Sequence, residues 1–515
     1  MLNLATILDE QARRRGGHPA FVIGETRLSY ATVRALASRV AAALRASGIR
    51  PGDRVALACP NLPWFPVCYF GVLMAGAVVV PLNVLFKRRE IAYHLNDSGA
   101  SAFLCFQGTP ELPLGAEAAA AVAEAPDCRT FVLITPKPDD PSPQPGVPTL
   151  GQFIHPHAAG METAPVRESD TAVILYTSGT TGKPKGAELS HHNLFMNAFL
   201  TRELLRYTSE DAGLGVLPLF HSFGQTVVMN AMILAGGTTL LLPRFEPVAA
   251  LQAMQREGLT VFSGVPTMYF AMMQASAEGL DLDRIRARLR LAVSGGAALP
   301  LEVLRGFEEK FGVPILEGYG LSETSPVACF NQLDAERRVG TIGTPVWGVD
   351  MRIAGADGAT LPDGEPGEVL IRGHNIMKGY WNRPEETAEA VVDGWLRTGD
   401  IGLREPDGYL RIVDRSKDMI IRGGFNVYPR EVEEVLLTHP AIALAAVVGV
   451  PDPALGEEIR AFVVFRPGAE STPEEIVAWS RSVLASYKYP RSVIPRGSLP
   501  MNATGKILKT ELRKL

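Results

Sequence analysis

Apolar positions recur along this chain at two periods. From Leu28 to Ala46 they fall three and four residues apart, the spacing of a helix with one buried face. After the turn Pro51-Gly52-Asp53, Arg54 to Ala58 is a short apolar run of the length of a buried strand. Phe65 to Leu82 is almost wholly apolar, but Pro66 and Pro81 enclose only about 14 residues, short of the ~20 that a membrane-spanning helix needs. It predicts a buried helix running into a strand over Ala77–Val80. Such αβαβ alternation implies largely parallel sheets covered by helices. Residues 109–165 are rich in Ala, Pro and Asp, and Pro138 to Pro148 is expected to be an exposed loop.

From about Thr341 the texture changes to short strand-like pieces between glycines and prolines, such as Gly367-Glu368-Val369-Leu370-Ile371. Beyond Asp414, helices are predicted over Glu431–Leu437 and Pro473–Leu484, and strands over Ala445–Val450 and Arg460–Phe465. The expected fold class is α/β. A large N-terminal body (1–414) of parallel-rich sheets covered by helices includes a β-rich subdomain at about 341–414. A joint at 415–418 leads to a small α+β C-terminal lid over 419–515.

At ~150 residues per domain, 515 residues correspond to about three folding units. The chain carries 50 Lys+Arg against 55 Asp+Glu, net −5, which gives no ground for a nucleic-acid-binding surface. The five cysteines (Cys59, Cys68, Cys105, Cys128, Cys329) show no metal-type spacing and are expected to be reduced, buried thiols. Asp9, Glu10 and Arg13–Arg15 come too early for a signal peptide, so the expectation is a cytoplasmic protein. No transmembrane segment is predicted. Peripheral membrane contact and oligomeric state are left open, a homodimer being the simplest arrangement.

The most informative stretch is Tyr176-Thr177-Ser178-Gly179-Thr180-Thr181-Gly182-Lys183-Pro184-Lys185-Gly186, which follows the apolar run Ala172–Tyr176. Four hydroxyls, three glycines and two lysines in ten residues can cradle phosphate oxygens with backbone N–H groups, hydroxyls and charge. A flexible surface loop would not need that concentration directly after a core strand. No Walker A register fits, which disfavours an ordinary P-loop ATPase.

This motif resembles the phosphate-loop signature of the adenylate-forming superfamily, which comprises acyl-CoA synthetases, peptide-synthetase adenylation domains and luciferases. Further signatures occur in the family's order over nearly the whole chain. The resemblance implies that Thr177, Ser178, Gly179, Thr180, Thr181, Gly182, Lys183 and Lys185 contact the phosphates of ATP. Ser294-Gly295-Gly296-Ala297-Ala298-Leu299 is similar to the adenine-pocket segment, with Gly296 and Ala297 against the purine. In Glu317-Gly318-Tyr319-Gly320-Leu321-Ser322-Glu323-Thr324, the resemblance puts Glu317, Gly318, Tyr319, Gly320 and Thr324 in the ATP site. Tyr319 would lie by adenine, and Glu323, with Thr177, would hold Mg²⁺. Asp400 in Thr398-Gly399-Asp400, together with Arg415, matches the ribose contacts. Lys417 falls at the hinge of a mobile lid, and Gly423 and Gly424 line the tunnel for the pantetheine arm of coenzyme A. Lys506, in Pro500-Met501-Asn502-Ala503-Thr504-Gly505-Lys506, is the implied adenylation lysine and a further ATP contact. The implied catalytic set is Lys506, Glu323 and His221.

Pro218-Leu219-Phe220-His221-Ser222-Phe223-Gly224 bears on the acid. Amino-acid-activating relatives usually have Asp where His221 stands, so an acid without an α-amine is expected. His221, Phe223, Gly264, Val265 and Met268 are the implied acyl pocket. Malonate-type relatives carry arginines near Phe270 and Gly318, and this chain has neither. Met229, Met232, Met268, Met272 and Met273 would suit a flexible hydrocarbon tail.

The expected activity is therefore acyl-CoA formation from a medium- or long-chain fatty acid, ATP and coenzyme A through acyl-AMP, with AMP and pyrophosphate released. No redox cofactor is expected. Alternatives are an aryl-acid CoA ligase and an acyl-AMP ligase that loads a carrier protein. A luciferase-like oxygenase and a non-enzymatic nucleotide-binding scaffold are disfavoured, the latter because Lys506, Glu323 and the phosphate loop are intact.

Overall fold

The computed structural model describes residues 2–137, 140–177, 183–276 and 278–515. Two large sheets form its body. One runs, edge to edge, through Gly379–Tyr380, Lys185–Ser190, Thr171–Thr177, Val78–Pro81, Arg54–Ala58, Ala100–Phe106 and Thr130–Ile134. From Thr171–Thr177 onward its pairings are parallel. Lys185–Ser190 folds back antiparallel, and Gly379–Tyr380 joins it from far along the chain. All seven residues of Ala100–Phe106 are buried, the pattern of a strand covered on both faces.

The second sheet places Ile315–Gly320, Leu291–Ser294, Val261–Gly264, Ala212–Gly215, Thr238–Leu241 and Pro19–Ile23 side by side in parallel. The antiparallel strands Val327–Phe330 and Thr26–Ser29 pair at its two ends. The fold class is thus α/β, as the alternation predicts. The C-terminal ends of Thr171–Thr177, Leu291–Ser294 and Ile315–Gly320 all open on one cavity. Strand ends of open parallel sheets are where ligand sites form.

The apolar stretch after Leu62 is the buried helix Trp64–Met74 followed by the strand Val78–Pro81. It packs on the helix Tyr30–Ala46, which begins after Ser29 accepts a hydrogen bond from the Thr32 amide. Leu28, read from sequence as helical, instead closes the strand Thr26–Ser29. Among the described residues no helix is long and apolar enough to cross a membrane. All five cysteines are buried and unpaired.

The stretch from Thr341 to Asp414 is less self-contained than its texture implies. Val349–Ala354, Gly367–Gly373, Val391–Val392, Trp395–Arg404 and Leu410–Arg415 form their own sheet. Thr344–Pro345 and Gly379–Tyr380, however, pair with the two large sheets. After the 3₁₀ turn Ser416–Asp418, a separate sheet of Phe425–Val427, Ile420–Arg422, Gly456–Phe465, Ile442–Asp452 and Ser492–Pro495 has its own apolar core. The helix Pro429–Leu437 packs on it through Val432 and Leu436.

Candidate active site

A cavity of about 870 Å³ lies between the ends of the body sheets and the C-terminal sheet. Its walls include Thr177, Lys185, His221, Phe223, Val265, Gly296, Ala297, Gly318, Tyr319, Gly320, Glu323, Arg415, Lys417 and Lys506. Residues as far apart in sequence as Thr177 and Lys506 thus converge on one space.

The strand Ile315–Gly320 carries the first group. It can run close to its neighbours only because of its glycines. A Cβ on Gly320 would lie 1.7 Å from the Pro326 carbonyl oxygen, and one on Gly318 would meet the Phe330 ring at 2.5 Å. The following 3₁₀ turn Ser322–Thr324 is held by Thr324, whose Oγ1 accepts from the Leu321 amide at 2.8 Å. The turn presents Glu323, whose Oε1 accepts from Thr177 Oγ1 at 3.2 Å and from Tyr380 OH at 3.0 Å. Burial and the adjacent Glu323 carboxylate keep the Tyr380 phenol protonated. Lys185 Nζ stands 5.3 Å over the Tyr380 ring. Oxygen donors from Thr177 and Glu323 at one edge of the cavity are the chemistry that Mg²⁺ with phosphate oxygens requires.

The second group is set by hairpin register. Asp400 on Trp395–Arg404 is directly opposite Arg415 on Leu410–Arg415, and Arg415 Nε lies 3.1 Å from Asp400 Oδ1. Tyr319 OH donates to Asp400 Oδ2 at 2.6 Å. The nearly buried Asp400 does not itself line the cavity. It sits behind Tyr319 and Arg415, which do.

The third group arrives from the C-terminal unit. Asn502 Oδ1 accepts from the amides of Thr504 and Lys506 at 3.0 and 2.9 Å, closing a tight loop. Thr267 Oγ1 of the body donates to the Gly505 carbonyl at 3.1 Å and seats that loop against the cavity. Burial, then the Arg415 guanidinium, lower the Lys506 ammonium to about 8. Burial and the nearby Lys506 lower His221 to about 4, so its imidazole is neutral at pH 7.

A family profile described as AMP-binding enzyme matches residues 8–381, and one described as AMP-binding enzyme C-terminal domain matches residues 431–506. The chain belongs to the AMP-binding enzyme family. Among relatives, a long-chain-fatty-acid–CoA ligase of Bacillus subtilis (strain 168) is 38% identical over 99% of this chain and 94% of that protein. A feruloyl-CoA synthase of Amycolatopsis sp is 39% identical over 95% of this chain and 94% of that protein. The crystal structure of the anthranilate CoA ligase AuaEII in complex with anthranoyl-AMP superimposes with a TM-score of 0.92 at 30% identity, covering 99% of this chain and 96% of that one.

Ser178, Gly179, Thr180, Thr181 and Gly182 lie outside the described residues. Lys183 is exposed and off the cavity wall. Glu317 is buried behind the wall, where its Oε1 accepts from the Gly340 amide at 3.3 Å. Burial raises it to about 7. Thr324 is fully buried as the turn's internal cap, with no face on the cavity.

Of the acyl-pocket set, His221, Phe223 and Val265 line the cavity, whereas Gly264 and Met268 lie beneath it. Met229, Met232 and Met272 are buried in the apolar cores rather than on the cavity wall, where they serve as core filler. Gly423 and Gly424, with φ of +57° and +82°, are the two-residue turn of the hairpin Ile420–Arg422/Phe425–Val427. They are exposed and away from the cavity in this arrangement. Tyr380 is one of the wall residues that sequence reasoning missed. It arrives by pairing with Ala187 across nearly two hundred residues, for which no local pattern exists.

Proposed function

We propose that this AMP-binding enzyme is an acyl-CoA ligase that activates a carboxylic acid as acyl-AMP and transfers the acyl group to coenzyme A. The observation that carries this reading is Lys506. A lysine from the loop Asn502–Lys506 of the C-terminal unit stands in the same cavity as Thr177, Glu323, Tyr319 and Arg415.

In this proposal Gly296, Ala297 and Tyr319 flank adenine. Arg415, held by Asp400 behind it, faces the ribose hydroxyls, and Thr177 and Lys185 face the phosphates. Thr177 and Glu323 would hold Mg²⁺, which supplies neutralising charge to the polyphosphate. The substrate carboxylate, set beside neutral His221, attacks the α-phosphorus and pyrophosphate leaves. The Lys506 ammonium stabilises the charge gathering on the α-phosphate, an effect typically worth ~10²–10³-fold in rate. Residues 419–515 act as a lid that then rotates about Lys417, within the joint 415–418, against the body 1–414. Rotation withdraws Lys506 and brings the Gly423-Gly424 turn to the acyl carbonyl for attack by the coenzyme A thiol. The exposed position of that turn here and the docked position of Lys506 are what an adenylating pose requires.

For the acid we assign a medium- or long-chain fatty acid. Phe223, Val227, Val265 and Val293 line that part of the cavity without a charged side chain among them, and the Bacillus subtilis relative is named for that substrate class. A second reading, an aryl acid, is favoured by flat walls. Phe223 lies 3.2 Å from where a Cβ on Gly295 would be, Phe330 packs on Gly318, and the feruloyl-CoA synthase relative acts on such an acid.

The test is pyrophosphate release with MgATP across C4–C18 fatty acids and a few aryl acids, with and without coenzyme A. Acid-dependent release that coenzyme A stimulates is expected, and the most active acid fixes the class. Release indifferent to coenzyme A, with acyl-AMP accumulating, would contradict the choice of acceptor and favour a carrier protein.

A further inference from the structure

Resting on that reading of the site, we infer that Tyr380 is a positioning residue for the Glu323 carboxylate and, through it, for the divalent cation that accompanies ATP. No family signature discussed above includes Tyr380. Its phenol donates to Glu323 Oε1 at 3.0 Å, and Thr177 Oγ1 donates to the same oxygen at 3.2 Å. Two hydroxyls on one oxygen fix the carboxylate's rotation and leave Oε2 as the oxygen without a protein hydrogen bond among the described residues. A carboxylate that presents one defined oxygen is a better ligand for a cation with strict geometry than one free to spin.

The tyrosine is itself held from several sides. Gly379 and Tyr380 pair with Glu188 and Ala187 on the strand that follows the phosphate loop. The Tyr380 amide donates to Thr387 Oγ1 at 2.8 Å, and the Met377 amide donates to the Glu323 carbonyl at 2.9 Å. Its ring carries Lys185 at 5.3 Å, so one side chain touches both the candidate cation ligand and a candidate phosphate lysine. The segment 377–381 thus ties the turn bearing Glu323 to the strand bearing Lys185.

The test compares calorimetric binding of ATP with Mg²⁺ and with excess EDTA, in the full-length chain. Tyr380→Phe keeps the ring beneath Lys185 and removes only the phenol oxygen. It is expected to weaken MgATP binding about tenfold, the loss expected for one hydrogen bond to a charged group. Metal-free ATP should bind within about twofold of wild type, since the lysine contact persists. Glu323→Gln should show the same metal-specific loss, and adding Tyr380→Phe to it should cost little more, because the two act as one unit. Thr177→Val, which removes the other donor to Oε1, should also weaken MgATP binding selectively. Equal weakening with and without metal would overturn the inference and reduce Tyr380 to a packing role. Additive effects of the two single variants would overturn it as well. A wild-type enzyme that binds MgATP yet releases no pyrophosphate with any acid would instead contradict the ligase reading.

Discussion

At the scale of single residues, the account turns on Lys506 and on how its charge is maintained. Lys506→Ala is expected to lower acid-dependent pyrophosphate release by ~10²–10³-fold while still converting supplied acyl-AMP and coenzyme A to thioester. Equal loss in both half-reactions would contradict the division of labour. The groups facing Lys506 are Arg415, Lys417, Asp400, Asp418 and His221, and burial with Arg415 lowers it to about 8. Its charged form is present below that pH, so kcat/KM for adenylation should fall as pH rises through about 8. Lys506→Arg, at lower rate, should abolish that alkaline limb because a guanidinium stays protonated. Glu317 gives a separate test of stability. Its folded value of about 7 exceeds the ordinary 4.5, so the folded chain binds the extra proton between those values. The stability this contributes is complete below about pH 4.5 and is lost as pH rises through 7. Relative to wild type, Glu317→Gln should therefore be more stable at pH 8 than at pH 5, by about 1–3 kcal/mol, as read from thermal melting at the two pH values. No relative change would contradict the burial of an ionisable Glu317.

At the scale of elements, what the sequence makes legible is what local chemistry demands. The Asn502–Lys506 loop announces itself by its turn residues. The helix Tyr30–Ala46, the strand Arg54–Ala58 and the helix Trp64–Met74 with its following strand follow from apolar patterning, within a few residues at their ends. Three things were not legible. Gly318-Tyr319-Gly320 is the end of the strand Ile315–Gly320, because Val327–Phe330 pairs against it, and no local pattern encodes that pairing. Tyr380 reaches Glu323 through a pairing no local pattern encodes. Glu317 and Thr324 sit inside the right motif but point inward, since motif spacing does not say which way a side chain turns. The Gly423-Gly424 hairpin carries its own prediction. With positive φ at Gly424 and no atom within 4 Å of a Cβ there, Gly424→Leu adds backbone strain of about 1–2 kcal/mol but no clash in this arrangement. Adenylate formation should persist, measured as pyrophosphate release, while thioester formation from acyl-AMP is lost. Normal coenzyme A turnover in that variant would remove the proposed tunnel role.

At the scale of the whole molecule, the fold brings together groups from the large body sheets, from a smaller sheet that shares an apolar core with one of them, and from the C-terminal unit. Strand ends of the two large body sheets present Thr177 and Tyr319, the smaller sheet presents Asp400 and Arg415 in register, and the C-terminal unit adds Lys506. The Lys506 loop is seated on the body by the Thr267 to Gly505 hydrogen bond at 3.1 Å, and the rest of the C-terminal unit meets the body through Arg430, whose amide donates to Asp414 and whose guanidinium donates to the Ile412 carbonyl. The central claim, attack of the substrate carboxylate on the α-phosphorus, is tested most directly by isotope. Acid labelled with ¹⁸O in both carboxylate oxygens is turned over with MgATP and coenzyme A, and the products are weighed by mass spectrometry. The account predicts AMP carrying one ¹⁸O atom, unlabelled pyrophosphate and an acyl-CoA retaining the other ¹⁸O. ADP with labelled orthophosphate, or unlabelled AMP, would contradict it.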